Sequence, residues 1–480
     1  MANTDPIHGK VFEYFYKIAS IPHGSGNTRA LSDYCALQAE KHGCRVYRED
    51  NGNLIVYVDG TQGYENSETV ILQGHIDMVC DKTESCDKDM VRDGVEVLND
   101  GEYIFAKDTT LGSDDGIAVA YMLTLIEDRS IPHPPLEMLF TVDEEVGMLG
   151  ARAIDAKKLS SNKLINIDSE VEGILTVSCA GAIRAVCKIP FTTENTNGSC
   201  YKISISGLKG GHSGTEINSG RINSNKLLSR LLNFVSQDVD FKISSISGGK
   251  KYNAIPKESE AVVCVEDKNK ELFLSVTQKF ISSIKNEKVI NEPDLEINIT
   301  QTSDTGKCMD SRSSRKAMFT LLQIPNGVQT MSPDIPNMVQ TSLNLGILET
   351  SDEYFSLCFM IRSNASAGKQ ALVQKLKSFV EYLDGSIEFM SDYPAWEFKA
   401  ESNLRNTLIE TYTEMYGEPP VVTAIHAGLE CGILAGKIPD MDAVSFGPNI
   451  LHAHTPQEKI EIASAKRCWE YLKTVLKNLK

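Results

Sequence analysis

The stretch Thr69-Val70-Ile71-Leu72-Gln73-Gly74-His75-Ile76-Asp77 runs from a short apolar segment straight into an imidazole and a carboxylate. The apolar run predicts a strand, and the His-x-Asp pair places two chemically useful groups where that strand stops. Upstream, Val11, Phe12, Phe15 and Ile18 give helical spacing from Pro6 to about Ser20. Residues 27–41 predict a second helix, with Asn27 as N-cap and Gly43 as its stop. A strand, the turn Asp50-Asn51-Gly52-Asn53 and the strand Leu54–Val58 then read as a hairpin. Downstream come a helix from about Gly116 to Glu127, a strand Glu137–Val142, a short helix after Met148 and a strand Leu164–Ile167. Strands separated by helices predict an α/β sheet with parallel members.

From about residue 188 the composition shifts toward Ser, Thr, Asn and Lys. Strand–helix units recur there: Tyr201–Ser206 with Asn225–Phe234, Ala261–Glu266 with Glu271–Asn286, and Ser356–Arg362 with Gly368–Leu383. This recurrence without a sequence repeat predicts an α+β module. The chain changes again near Tyr393–Trp396, and a helix Asn403–Tyr416 precedes an apolar, Gly-rich tail.

A length of 480 residues predicts two or three domains. Forty-eight Lys and Arg against 65 Asp and Glu leave a net charge of −17, which argues against nucleic acid or an anionic membrane as partner. The 41% hydrophobic and 24% charged fractions exclude wholesale disorder and fibrous repeats. No run of about 18 apolar residues is present, so no membrane-spanning helix is expected. The start MANTDPIHGK has neither a basic nor an apolar signal region, so a cytoplasmic protein is expected. Its twelve cysteines include no Cys-x-x-Cys pair and are expected as free thiols.

Among nine histidines, His8, His23, His42 and His133 sit near helix ends, turns or Pro-rich loops and are expected at the surface or as caps. His75, His212, His426, His452 and His454 remain. A metal-bound imidazole needs its second nitrogen fixed, and a carboxylate such as Asp77 often does this. One such pair arises by chance at this composition, so the weight falls on three carboxylate clusters. Leu111-Gly112-Ser113-Asp114-Asp115-Gly116 opens a helix, Asp143-Glu144-Glu145 ends one strand, and Asp168-Ser169-Glu170 ends another. An Asp fills N-caps and turns routinely. Three adjacent acids, however, repel one another unless a cation neutralises them. Strand ends of an α/β sheet also converge on one ligand-binding crevice. The clusters together predict a divalent metal site.

Gly74-His75-Ile76-Asp77, Ser113-Asp114-Asp115-Gly116, Asp143-Glu144-Glu145-x-Gly147, Asp168 and a late Gly-Pro-x-x-x-x-x-His454 resemble the two-zinc metallopeptidases that include aminoacylase and carnosinase. Within that family the likeness is to the branch of bacterial-type aminoacyl-histidine dipeptidases. Thr109-Thr110-Leu111-Gly112, Gly211-His212-Ser213-Gly214, Asn253-Ala254-Ile255-Pro256, residues 331–336, Ser342-Leu343-Asn344-Leu345-Gly346 and residues 426–432 match as well. The resemblance implies a catalytic α/β/α sandwich over residues 1–187 and 396–480, with an inserted α+β lid over 188–395. It implies two Zn2+ per chain, with Mn2+ or Co2+ able to substitute. One ion falls to His75 and Asp168, the other to Glu145 and His454, and Asp114 bridges them. It also implies that Glu144 is the general base acting on a metal-bridging water and that Asp77 orients His75. His212 donates to the scissile oxygen, Asn253 assists, and Arg362 takes the substrate's C-terminal carboxylate. A cis peptide between Asp114 and Asp115 is implied too.

His452 and His454 lie two apart and point the same way if extended, so either suits a metal; the family pattern selects His454 and leaves His452 on the rim. Asp115, Thr215-Glu216 and Val171 depart from residues usual in the relatives, without removing a ligand. The function implied is hydrolysis of unblocked dipeptides, Xaa-His included, with a small peptide as substrate and a homodimer left open. An amino-acid deacylase or carboxypeptidase would use the same site, but without the Asn253 and Arg362 segments. A non-catalytic peptide-binding protein would have lost Glu144 or a ligand.

Overall fold

The strand Val70–His75 is buried along its whole length and lies inside an eight-stranded sheet. The computed structural model describes residues 9–196, 198–287, 292–303 and 306–480. The sheet order is Arg45–Arg48, Leu54–Val58, Leu136–Thr141, Val70–His75, Lys163–Asn166, Asp442–Ser445, Ile174–Cys179 and Val421–Ile425. Leu136–Thr141 and Lys163–Asn166 run parallel to Val70–His75, and Asp442–Ser445 runs parallel to Lys163–Asn166. Central parallel strands are covered on both faces, which explains their near-continuous apolar runs. Their carboxyl ends share one edge, and His75, Asp77, the Asp143–Glu145 segment and Asp168 all follow directly from them.

The helix Ser113–Glu127 is apolar on every side, and Gly116 to Ile126 are all buried. Asp114 and Asp115 have non-helical backbone angles, so the regular helix begins at Gly116, where the apolar pattern places it. The Asp114–Asp115 peptide bond is cis. A four-stranded sheet of Val97–Asn99, Tyr103–Ala106, Lys459–Glu461 and Ile450–Leu451 joins the segment before this helix to the C-terminal region.

These elements belong to a unit comprising residues up to Cys179, Phe398–Ala424 and Leu429–Lys480. A second unit comprises Ala180–Glu397 and Ile425–Gly428, so it is inserted in the sequence of the first. Nine of its strands form one sheet, in which Ser199–Ser206, Ser259–Val265, Val339–Thr350 and Tyr354–Ser363 pair antiparallel with their neighbours. Four helices, Ser224–Ser236, Lys270–Asn286, Ser311–Gln323 and Ser366–Tyr382, accompany it. Leu231, Phe273, Phe359 and Leu376 belong to the core of this unit, while Phe15, Leu72, Tyr121 and Phe140 belong to that of the first. The mixed α/β fold with an inserted module is therefore as the sequence implies.

Four expectations are corrected. The strand Gly181–Pro190 pairs with Tyr354–Ser363 across its whole length, which draws the first division back from residue 187 to Cys179. Residues 425–428 also join the inserted unit. His23 and His133 are buried rather than at the surface, each with Nδ1 satisfied by a nearby carbonyl. His452 and His454 have φ of 57° and 64°, so that loop is not extended and spacing by two does not align them. His8 lies outside the described residues.

Candidate active site

Asp114 lies between two imidazoles. Its Oδ1 is 3.1 Å from His75 Nε2, and its Oδ2 is 3.1 Å from His454 Nε2. His75 Nε2 is also 3.5 Å from Asp168 Oδ1, and His454 Nε2 is 2.9 Å from Glu145 Oε1. The structure thus gathers all five predicted ligands into two groups that share one carboxylate. His75 reaches this position because Gly74 lets its strand press against the following helix. A Cβ at Gly74 would sit 2.5 Å from Asp115 Oδ2 and 2.7 Å from Ala118 Cβ.

The second nitrogen of His75 is turned away. Nδ1 contacts the Asp77 backbone carbonyl at 2.9 Å and the Asp77 carboxylate at 3.5 Å, which leaves Nε2 facing the acids. The Asp77 carboxylate also accepts from the Glu144 N–H (2.9 Å), the Glu145 N–H (3.3 Å) and Ser25 Oγ (2.8 Å). Asp77 therefore braces the acidic segment as well as the imidazole. Ser25 gave no signal in the sequence, since its partner lies 52 residues away.

These residues fit metal ions. Among the described residues, His75, Asp114 and Glu145 each offer a ligand atom within 4.8 Å of the others, as do His75, Asp115 and Asp168. Glu145 Oε1 is buried without a hydrogen-bond partner, although His454 Nε2 is near. Two Lewis bases held at contact distance without a hydrogen bond between them match the needs of a shared cation. Asp115 is the weaker candidate, because its Oδ2 accepts from the His75 N–H at 3.3 Å and packs against Gly74.

The titration of these groups reflects crowding. Burial pushes Asp168 up to about 7, with Asp114 adding and His75 opposing. Burial likewise pushes Glu144 well above the usual carboxylate range, opposed by His75 and reinforced by Asp168, Glu430 and Glu145. Asp114 moves the other way: burial would raise it, but its bonds to His454 and His75 prevail. His454 is raised to about 11 by the nearby carboxylates of Asp114 and Glu145.

One layer beneath, Glu430 is fully buried and accepts from Gln73 Nε2 (2.6 Å) and Thr141 Oγ1 (2.5 Å). Asn166 Nδ2 donates to Gln73 Oε1 at 2.6 Å. Gln73 and Asn166 each stand two residues before a predicted ligand, and Thr141 stands three before Glu144, on three adjacent parallel strands. The sequence pattern contained Glu430 but assigned it no role.

In the inserted unit, His212, Asn253 and Arg362 also come together. The short strand Gly211–His212 pairs with Ala254–Ile255, and Ser213 N–H donates to the Asn253 carbonyl at 3.0 Å. Arg362 is buried, with its guanidinium 3.2 Å from His212 Nε2 and 3.3 Å from Tyr393 Oη. Among the described residues it has no carboxylate partner within 4.0 Å. Burial and Arg362 lower His212 to about 4, and burial, Arg362 and His212 lower His426 to about 3. A buried, unpaired guanidinium is costly, and an incoming anion relieves that cost.

The profile of peptidase family M20/M25/M40 matches residues 71–478. The chain belongs to that family. It is 34% identical over 471 residues to the cytosol non-specific dipeptidase of Escherichia coli (strain K12), covering 98% of this chain and 97% of that protein. The crystal structure of aminoacylhistidine dipeptidase from Vibrio alginolyticus superposes with a TM-score of 0.92 at 35% identity, covering 98% and 97% of the two chains. Aminopeptidase PepT from Bacillus cereus shares the fold at a TM-score of 0.58 and 15% identity, covering 98% of each chain. In this M20-family peptidase, every residue that the motifs single out as a ligand faces the shared Asp114 group directly or through its neighbour. Among the described residues, no helix is long and apolar enough to cross a membrane.

Proposed function

We propose that this M20-family peptidase is a cytoplasmic two-metal dipeptidase that hydrolyses unblocked dipeptides, Xaa-His among them. The observation that carries the reading is Asp114, whose two oxygens each lie 3.1 Å from a different imidazole. A bridging carboxylate needs that geometry. His75 and Asp168 would hold one ion, Glu145 and His454 the other, and Asp114 both. Zinc suits this nitrogen and oxygen donor set, with manganese or cobalt as substitutes. The names of the Escherichia coli and Vibrio alginolyticus relatives, each matched over 98% of this chain, support the dipeptidase assignment.

When bound, two divalent ions polarise the scissile carbonyl and lower the pKa of water. Glu144, which is not needed as a ligand, takes a proton from the attacking water and passes it to the leaving amine. Asp77 holds both the imidazole of His75 and the backbone of Glu144, so base and ligand keep a fixed separation. His212 stabilises the developing oxyanion, and Asn253 supports its loop. Arg362 takes the C-terminal carboxylate of the substrate, which supplies the anion that guanidinium lacks.

The test is a panel of free dipeptides, C-amidated dipeptides, tripeptides and N-acetyl amino acids, assayed after chelation and readdition of zinc, manganese or cobalt. Free dipeptides should be cleaved fastest, and only with metal. Faster cleavage of N-acetyl amino acids would replace the reading with a deacylase.

A further inference from the structure

Glu458 is 2% exposed, and among the described residues no Lys or Arg pairs with it. A carboxylate taken out of water in this way must be satisfied by other means. Its Oε2 accepts from the backbone N–H groups of Leu111 (2.9 Å) and Gly112 (3.2 Å). Its Oε1 accepts from the Ser113 N–H (2.7 Å) and Ser113 Oγ (2.6 Å). Four donors from three consecutive residues therefore converge on one side chain. With Gly112 at φ 75°, the three successive N–H groups converge on one anion, as backbone amides in a turn conformation do.

Both ends of this contact lead to a proposed ligand. On one side, Ser113 immediately precedes Asp114. On the other, His454 belongs to a self-bonded turn. Thr455 N–H and Oγ1 donate to the His452 carbonyl (3.3 and 2.7 Å), and Glu458 N–H donates to the Thr455 carbonyl (3.0 Å). His454 itself is held at φ 64°, a conformation that a non-glycine residue keeps only when its surroundings enforce it. Directly after Glu458, the strand Lys459–Glu461 pairs with Tyr103–Ala106, which pins the turn to the segment leading into Leu111. The clasp and the 3.1 Å contact of His454 Nε2 with Asp114 Oδ2 thus close a ring.

We propose that Glu458 is a positioning residue that locks the Asp114 loop to the His454 turn and so sets the separation of two metal ligands. The inference rests on the two-metal reading for its functional consequence, but the clasp itself stands apart from it. Replacing Glu458 by Ala removes all four bonds. Replacing it by Gln keeps one carbonyl oxygen but turns an NH2 group toward a backbone donor, so the lock is weakened rather than lost. Ser113→Ala removes only the hydroxyl contact.

The test compares wild type, Glu458→Ala, Glu458→Gln and Ser113→Ala by three measurements. These are amide hydrogen exchange of peptides spanning residues 109–116, zinc affinity by chelator competition, and kcat and KM for a dipeptide at saturating zinc. The effect should be largest for Glu458→Ala, intermediate for Glu458→Gln and smallest for Ser113→Ala. For Glu458→Ala, exchange at 111–113 should quicken at least 10-fold, zinc affinity should fall at least 10-fold, and kcat should fall with KM held within about threefold. Should Glu458→Ala fail to fold, Glu458→Gln carries the same test at smaller amplitude. Unchanged exchange at 109–116 would overturn the clasp. A variant that melts earlier yet keeps wild-type zinc affinity and kcat would overturn the positioning role. If wild type bound no metal, the two-metal reading would fail and the positioning role with it, while hydrogen exchange would still report the clasp.

Discussion

Glu144 and Glu145 are adjacent in sequence but differently held. The Glu145 carboxylate faces His454, whereas Glu144 is held through its backbone by Asp77 and needs no ligand role. Glu144→Gln is therefore expected to keep its metal and lose roughly 10²–10⁴-fold in kcat, the range of general acid–base catalysis. Metal analysis alongside kinetics checks it, and a parallel loss of metal would exchange the two roles. Asp115 gives the opposite expectation. Its Oδ2 accepts from the His75 N–H and packs on Gly74, and an amide oxygen would serve equally. Asp115→Asn should leave zinc content unchanged and kcat within a few-fold. The acids at strand ends were legible because charge following an apolar run is conspicuous. Glu458 was not: its partners are backbone amides up to 347 residues away, and such donors leave no mark in a pattern of side chains.

At the level of elements, the sheet explains why the proposed ligands scattered from His75 to Asp168 meet. Parallel neighbours end at one edge, so each loop begins within reach of the next. The apolar runs made these strands readable, and the all-apolar stretch after Gly116 made the buried helix readable. The helix Ser311–Gln323 went unread because its first turns, Ser311-Arg312-Ser313-Ser314-Arg315-Lys316, show no apolar spacing; its Asp310 cap, which accepts from Ser313 N–H, emerges only from geometry. Strand and helix meet most tightly at Gly74. Gly74→Ala is expected to destabilise by about 1–3 kcal/mol, the cost of overpacking a full interior. Denaturant midpoints measure it, and a loss below about 0.5 kcal/mol would mean that the contact with Ala118 relaxes freely.

For the molecule as a whole, the division into units was legible from the change of composition, but the boundary near Cys179 was not. The strand Gly181–Pro190 reads like any other apolar strand, and only its partner Tyr354–Ser363 assigns it. The inserted unit carries a pH signature of its own. His212 and His426 stay neutral down to about 4 and about 3, whereas an unfolded histidine takes its proton near 6.5. The unfolded chain thus binds more protons across that window, and stability falls as the pH drops from about 6.5 toward 4. Each histidine contributes on the order of 1.4 kcal/mol per pH unit where only the unfolded form is charged. Urea midpoints should fall accordingly, and less steeply in His426→Gln than in wild type. Substrate length offers a second whole-molecule expectation. On the proposal that Arg362 takes the substrate carboxylate, an added residue would displace that carboxylate by about 3.3–3.6 Å, more than a hydrogen bond tolerates. Arg362→Ala should slow free dipeptides and narrow the gap between them and amidated dipeptides.

The central claim is that Asp114 serves two metal ions needed for peptide hydrolysis. It is tested most directly by stripping the protein with a chelator and titrating zinc back, while counting bound metal per chain and assaying a free dipeptide. Binding should saturate at two ions per chain, with activity restored in full only as the second is filled. Saturation at one ion, or hydrolysis that survives chelation, would contradict the account.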